Sequence, residues 1–299
     1  MLAAPAFASE PLSDWNVSLV SLQANAKGEA LVTYKKHDGG LRHALIWGAL
    51  NANAPVDQAV LQEHFKYDYA GGWGKYHKAN YWQTFKNACQ PYDGPALPYF
   101  VTGCRAPDGT YWTLQAWQKG LPLLGFDPWR PEQNRWETHL AHWSGELPKL
   151  EVYTHWTYGG SWQGLFGRFT YLGNPVHGFG STGDGNPHDR YGRNVYIDTF
   201  NSAYGVGWRR ESGILAHKSG GTFCHSFVPQ KPFPGYPSQE TRPAAPGERY
   251  RITVMGPGVT PLLLWEGPGL TSADRASAAS ATAIFDQIMA GDLTCAGER

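Results

Sequence analysis

Two successive predicted strands carry histidine and glutamate residues at positions where their side chains share a face. Glu137 lies two residues before His139, and Glu151 lies four residues before His155, so each pair lies on one side of an extended strand. If the two strands pair as a hairpin around residues 144–148, the four side chains converge. An imidazole beside a carboxylate can hold a metal or transfer protons near neutral pH, as in a secreted hydrolase or lyase. The alternative is a polar sheet face with cross-strand pairs.

Motifs of the common catalytic sites are absent from the sequence. There is no G-x-S-x-G, S-x-x-K, H-E-x-x-H or G-x-x-x-x-G-K-[ST] pattern, which argues against an ordinary α/β-hydrolase, a serine β-lactam enzyme, a zincin or a phosphate loop. One G-x-G-x-x-G occurs at residues 178–183. Glycine and proline follow it where a phosphate-binding helix would begin, so we interpret it as a chance match.

A glycine-rich loop over residues 180–192 offers oxygen ligands at short spacing. Asp184, Asn186 and Asp189 could coordinate calcium, although the spacing is not that of an EF-hand; no cofactor is otherwise expected. A metal-free loop rich in Asx turns is the alternative. His177 and His188 flank these residues and are further candidates for ligand binding, because functional loops cluster at the ends of sandwiches.

Aromatic residues are dense in two segments. The chain contains 13 Trp, 16 Tyr and 13 Phe; Trp73 and Tyr76 lie in the first dense segment, which also holds Tyr81 and Trp82, and Trp156 and Trp162 lie in the second. Flat rings flanked by glycine can stack on the C–H faces of sugar rings. These rings therefore predict binding of neutral carbohydrate or a cell-wall surface, while core packing is the alternative for any one of them.

Short alternating segments separated by turn residues predict a mainly β protein. We expect two β-sandwich-like parts, residues 9–125 and 132–299, separated by a proline-rich stretch at 121–131. A short helix over residues 77–89 is expected in the first part, and an amphipathic helix over 272–290 closes the second.

The cysteines and the N-terminus predict export. Residues 1–8 end in an A-x-A site typical of signal-peptide cleavage, and we interpret them as the remnant of a signal peptide. An ordinary flexible terminus is the alternative. The four cysteines include no C-x-x-C pattern, and an even number in an exported chain favours disulfides. We favour Cys89 with Cys104 and Cys224 with Cys295, the second tethering the C-terminal helix. Reduced thiols are the alternative.

The charge balance and the hydropathy of the chain indicate which classes of partner are not expected. The 25 basic and 25 acidic residues balance, so a nucleic-acid partner is not expected. No run of about 18 apolar residues occurs, so no membrane-spanning helix is expected. The predicted function is extracellular binding of a glycan or a surface protein. The rival predictions are the His/Glu enzyme and a structural role in an extracellular assembly.

Residues 167–178, GRFTYLGNPVHG, resemble the G-x-x-x-Y-x-G-x-P-V-x-G segment of carboxypeptidase-regulatory-like, transthyretin-type sandwich repeats. Residues 189–197 are similar to the strand that follows in that family, so the resemblance spans residues 167–230, with a long glycine-rich departure between the two segments. It implies a structural or binding module. The whole chain also resembles secreted β-rich proteins of actinobacteria, which implies export but no mechanism.

Overall fold

Antiparallel β-sheets form most of the regular structure. The computed structural model describes residues 9–53, 62–118, 135–157, 162–176, 195–202, 205–210, 216–217, 221–227 and 247–269. The helices among them are a single α-helical turn, α1 (Trp73–Tyr76), and a 3-10 turn (Tyr81–Thr84). The prediction of a mainly β fold is therefore confirmed.

Two sheets form the first sandwich. Its strands are β1 (Glu10–Pro11), β2 (Ser18–Ala24), β3 (Glu29–Lys35), β4 (Leu41–Trp47), β5 (Lys66–Asp68), β6 (Gln90–Pro91), β7 (Phe100–Arg105), β8 (Tyr111–Gln118) and β9 (Trp136–Trp143). Sheet I has the order β1-β9-β8-β7-β6, and sheet II has the order β2-β3-β4-β5. Every neighbouring pair is antiparallel.

Alternation along these strands creates the first core. Ala30, Val32 and Tyr34 of β3 point inward, and they meet Trp112 and Leu114 of β8 from the opposite sheet. All five are fully buried. Because successive side chains of a strand point to opposite faces, each sheet presents one apolar side to the other, and burial of those sides drives the pairing.

The second sandwich is built in the same way. Its strands are β10 (Lys149–Thr157), β11 (Trp162–Tyr171), β12 (Asn174–Pro175), β13 (Tyr196–Ser202), β14 (Gly205–Arg210), β15 (Ala216–His217), β16 (Thr222–Ser226), β17 (Arg249–Val254) and β18 (Leu263–Pro268). Sheet III has the order β10-β11-β16-β15, with β12 paired to β11, and sheet IV has the order β14-β13-β17-β18. Leu165, Phe169 and Phe223 of sheet III pack on Ile197 and Ile252 of sheet IV.

The connection between β17 and β18 joins the two sandwiches. Val259 is buried in the first core, and its N–H and carbonyl bond to the backbone of Asn51 (3.0 Å) and His142 (2.8 Å). Gly258 has φ +57°, and a Cβ there would lie 2.6 Å from backbone atoms of residues 51 and 52. Only glycine fits this close approach without strain.

β9 belongs to sheet I, although the predicted boundary at residue 132 assigns it to the second part. It pairs with β8 along its whole length and with β1 at Leu140 and His139. The predicted hairpin between β9 and β10 is wrong. Both edges of β9 are occupied, so β10 pairs instead with β11 in sheet III.

The predicted helix over residues 77–89 is also wrong beyond one turn. The chain becomes extended at Phe85, and Asn87 Oδ1 accepts hydrogen bonds from the N–H groups of Ala24 (3.3 Å) and Cys89 (3.0 Å). These contacts outweigh the helical spacing of the aromatic residues. The extended path brings Cys89 to Cys104, and the predicted disulfide between them is confirmed.

Several predictions concern residues outside the described ranges. They are the N-terminal segment 1–8, the proline-rich stretch 121–131, the C-terminal helix over 272–290 and the Cys224–Cys295 disulfide, of which Cys295 is not described.

Candidate functional site

The predicted His/Glu cluster is divided between two sheets. Glu137 and His139 lie on β9 of sheet I, whereas Glu151 and His155 lie on β10 of sheet III. The side chain of His155 is outside the described residues. Glu151 is exposed and forms an ion pair with Arg168, the residue opposite it on β11, at 2.6 Å.

His139 and Glu137 do make contact, with 3.3 Å between Nε2 and the carboxylate. The imidazole is 2% exposed, its Nδ1 lies 2.5 Å from the Ser9 carbonyl, and its ring lies against Trp117 at 4.5 Å between centroids. Because both ring nitrogens have protein partners and the ring is enclosed, the arrangement is that of a buried structural histidine.

The predicted calcium ligands Asp184, Asn186 and Asp189 lie outside the described residues, as do His177 and His188. Trp156 and Trp162 lie on β10 and β11, but their side chains are not described either. In the part of the chain that is described, no three His, Cys, Asp or Glu side chains are grouped so as to hold a metal ion. None of the described helices is long and apolar enough to cross a membrane.

Trp73 and Tyr76, the remaining predicted ligand-binding residues, lie on α1 beside sheet II. Asp68, at the end of β5, fixes the loop that carries them, because its carboxylate accepts the N–H groups of Ala70 (3.0 Å) and Lys75 (3.1 Å). Gly72 has φ +112°, and a Cβ there would lie 2.5 Å from Tyr81. The loop therefore needs glycine at this position to reach its observed path.

A buried carboxylate lies beneath these rings. Glu29, at the start of β3, is 1% exposed. It accepts hydrogen bonds from Asn25 Nδ2 (2.8 Å), Lys75 Nζ (2.5 Å), the Tyr76 hydroxyl and the Tyr81 hydroxyl (2.8 Å). We call these five residues the Glu29 cluster. It ties sheet II to α1 and to the 3-10 turn, two segments about 50 residues away in the chain.

Electrostatics stabilise the charged form of this carboxylate. Burial raises the pKa of Glu29, but the hydrogen bonds from its four donors outweigh that effect and lower the pKa from 4.5 to about 2. Burial and the bond to Glu29 raise the pKa of the Tyr81 hydroxyl. Glu29 therefore remains ionised and hydrogen-bonded at neutral pH, which suits a positioning residue and not a general base.

Aromatic rings in and next to the Glu29 cluster remain accessible to solvent. Trp73 is 52% exposed and Tyr76 is 36% exposed. Tyr76 stacks on Tyr81 at 4.5 Å between centroids, and Lys75 Nζ lies 4.2 Å from the ring centroid of half-buried Trp47. We call Trp47, Trp73, Tyr76 and Tyr81 the aromatic surface. Exposed rings on a loop held by buried polar contacts are typical of a preformed binding site.

Trp73 and Tyr76 are predicted from the sequence, whereas Glu29 and Lys75 are not. The aromatic density around Trp73 was a usable signal. The burial of Glu29 could not be inferred from the sequence, because most glutamates that begin a strand after a turn are exposed to solvent.

Comparison with known proteins adds no relative: no protein-family model, no curated protein and no solved structure matches this chain. The resemblance of residues 167–230 to transthyretin-type repeats therefore remains a prediction.

Proposed function

We propose that this protein is an exported glycan-binding protein and that the aromatic surface is its binding site. The observation that carries the proposal is the half-exposed indole of Trp73, held on a loop whose backbone is fixed by buried Asp68. An exposed ring of this size loses apolar contact with water when a sugar covers it. An exposed tryptophan on a fixed loop contributes little to the stability of the fold, but it is well placed to contact a ligand.

Preorganisation strengthens this argument. The Tyr76 hydroxyl donates a hydrogen bond to Glu29, and the Tyr76 ring stacks on Tyr81. Lys75 donates to the same carboxylate. Binding therefore requires little ordering of side chains, and ordering is a main cost of association. The C–H faces of a pyranose can stack on these rings, as the sequence predicts for Trp73 and Tyr76.

Export is part of the same proposal. The disulfide between Cys89 and Cys104 lies just beyond the segment that carries the aromatic surface. Structural disulfides persist in oxidising compartments and are rare in the cytosol. The proposed ligand is accordingly a glycan outside the cell or at its surface.

Replacing Trp73 with alanine is expected to weaken glycan binding about tenfold, the loss of one stacked ring. Its exposed side chain contributes little to folding, so the free energy of unfolding should stay within about 0.5 kcal/mol of wild type. Titration calorimetry with cellohexaose, chitohexaose, mannohexaose and hexagalacturonate measures the first quantity, and urea unfolding measures the second.

Trp136→Ala is the matched control, because Trp136 is 48% exposed but lies on β9 of sheet I. We expect it to leave every affinity within about twofold of wild type. Absence of binding to all four hexasaccharides, or an equal loss in both variants, would reject the proposed site.

A further inference from the structure

We propose that the glycan bound at the aromatic surface is anionic and that lysines around the surface contact its carboxylate groups. This inference rests on the proposed function and adds the chemical class of the ligand. The sequence predicts a neutral carbohydrate because the charges of the whole chain balance. Around the aromatic surface, however, the charges do not balance.

Lysines surround the aromatic surface. Lys27 Nζ lies 5.6 Å from the Tyr76 ring centroid, and Lys75 Nζ lies 5.2 Å from the same centroid. Lys66 is exposed and is the cross-strand partner of Trp47, so their Cβ atoms are close neighbours. Lys78 is exposed on the same loop, and its carbonyl accepts the Tyr81 N–H at 3.1 Å. We call Lys27, Lys66, Lys75 and Lys78 the lysine rim.

The two described carboxylates that contact this loop, those of Glu29 and Asp68, already have protein partners. Residues 69–92 contain three lysines and seven aromatic residues but no Asp or Glu. Glu29 is buried and forms an ion pair with Lys75, and Asp68 is buried and accepts hydrogen bonds from two backbone N–H groups. Within the described part of the chain, Lys27, Lys66 and Lys78 form no ion pair. Their charges are therefore available to a ligand.

Lys75 is bonded to Glu29 and Lys78 Nζ donates to the Thr84 hydroxyl at 3.3 Å, but neither Lys78 nor Lys27 nor Lys66 has a carboxylate partner among the described residues. Stacking rings beside these ammonium groups favour a ligand with flat faces and negative charges. A glycan that carries carboxylates provides both. Single-stranded nucleic acid also has these features, but the neighbouring Cys89–Cys104 disulfide favours an oxidising compartment, where such polymers are not the usual partner. The rim is also small compared with the basic surface of a nucleic-acid-binding domain.

The test compares hexagalacturonate with its fully methyl-esterified form, which has the same sugar rings without the negative charges. At about 20 mM salt we expect the acid to bind roughly tenfold more tightly than the ester. At about 500 mM salt the two affinities should converge, because salt screens exposed charges.

The double variant Lys27→Gln/Lys78→Gln removes half of the rim. We expect it to weaken hexagalacturonate binding about tenfold and binding of the ester less than twofold, since each exposed ion contact is worth about two- to fivefold in affinity. Lys35→Gln/Lys36→Gln is the charge-matched control. It lies at the other end of β3, about 20 Å from Glu29, and should bind the acid like wild type.

The outcomes separate this inference from the proposed function. Equal affinity for the acid and the ester, with Trp73→Ala weakening both, rejects the anionic ligand and leaves glycan binding intact. Failure of hexagalacturonate and its ester to bind, while a neutral hexasaccharide binds, also rejects the anionic ligand alone. Failure of all of these hexasaccharides to bind rejects the proposed function as well. Tighter binding of a ten-nucleotide oligodeoxythymidylate than of hexagalacturonate at about 150 mM salt rejects the glycan as the anionic partner.

Discussion

Glu29→Ala is expected to cause the largest loss of function among single substitutions, abolishing measurable glycan binding and lowering the free energy of unfolding at pH 7 by about 2–3 kcal/mol. Glu29 is the common acceptor for Lys75, Tyr76 and Tyr81. Without it, the two tyrosine rings lose their fixed positions, and Lys75 is free to leave Trp47. Calorimetry with hexagalacturonate and urea unfolding measure the two losses.

The same carboxylate predicts a defined pH dependence. Its folded pKa of about 2 lies below the ordinary value of 4.5, so its stabilising effect is complete above about pH 4.5 and is lost as pH falls toward 2. The difference in unfolding free energy between wild type and Glu29→Ala should shrink over that interval. A constant difference from pH 6 to pH 2.5 would contradict the role of the ionised form.

Two variants serve as controls for Glu29→Ala. Glu29→Gln preserves the side-chain volume but presents amide hydrogens to some of the donors, so it should lose binding while remaining folded. Glu151→Ala removes an exposed carboxylate paired with Arg168 and should change stability by less than about 1 kcal/mol without affecting binding. If Glu151→Ala weakens binding as Glu29→Ala does, the site lies elsewhere.

The strands were predictable because their determinants are local. Alternation of Ala30, Val32 and Tyr34 marks β3, and the turn after it has Gly39 at φ +89° and Asp38 accepting the Gly40 N–H at 2.8 Å. Both signals lie within a few residues of the element that they specify. The two-sandwich architecture followed from such segments.

The pairing of β9 was not predictable in this way. Chain proximity favours a hairpin with β10, but Glu10 and Pro11, about 130 residues earlier, occupy one edge of β9, and β8 occupies the other. Which edges are free depends on the whole fold. The convergence of His139, Glu151 and their neighbours was an inference from this incorrect register.

Only the part of the candidate site that is local in sequence could be predicted. Trp73 and Tyr76 are close in sequence and contribute to an aromatic density that can be read directly. Glu29 and Lys75 are 46 residues apart, and only the tertiary structure brings them to 2.5 Å. A lone glutamate in a strand gives no sign of the tyrosines that will enclose it.

Acidification from pH 6.5 to pH 4 is expected to destabilise the junction between the sandwiches through His142. Its ring is 5% exposed and stacks on Trp112 at 3.7 Å between centroids. Nδ1 lies 2.6 Å from the Ala49 carbonyl and donates to it, and Nε2 lies 2.8 Å from the Thr110 hydroxyl oxygen. The Thr110 hydroxyl itself donates to the Asp108 carboxylate at 2.7 Å. The backbone of His142 bonds to Val259 and Asn51, which couples the ring to the joining loop.

The sign of the effect follows from burial. Burial lowers the pKa of His142 from 6.5 to about 4, against smaller opposing effects of the Ala49 carbonyl and Asp108. Because the unfolded chain binds this proton more readily, stability is fully present above about pH 6.5 and decreases as pH falls, by about 3 kcal/mol at pH 4 and below. This interval lies mostly above that of Glu29, so the two effects can be measured separately.

His142→Asn tests the assignment, because the amide can still donate to the Ala49 carbonyl but does not titrate. At pH 7 we expect it to be about 1–2 kcal/mol less stable than wild type, since the contact with Trp112 is reduced. Its unfolding free energy should fall by about 3 kcal/mol less than that of wild type between pH 6.5 and pH 4. His37→Asn, which removes an exposed imidazole, should keep the wild-type profile. Parallel profiles for wild type and His142→Asn would show that another group carries the acid sensitivity.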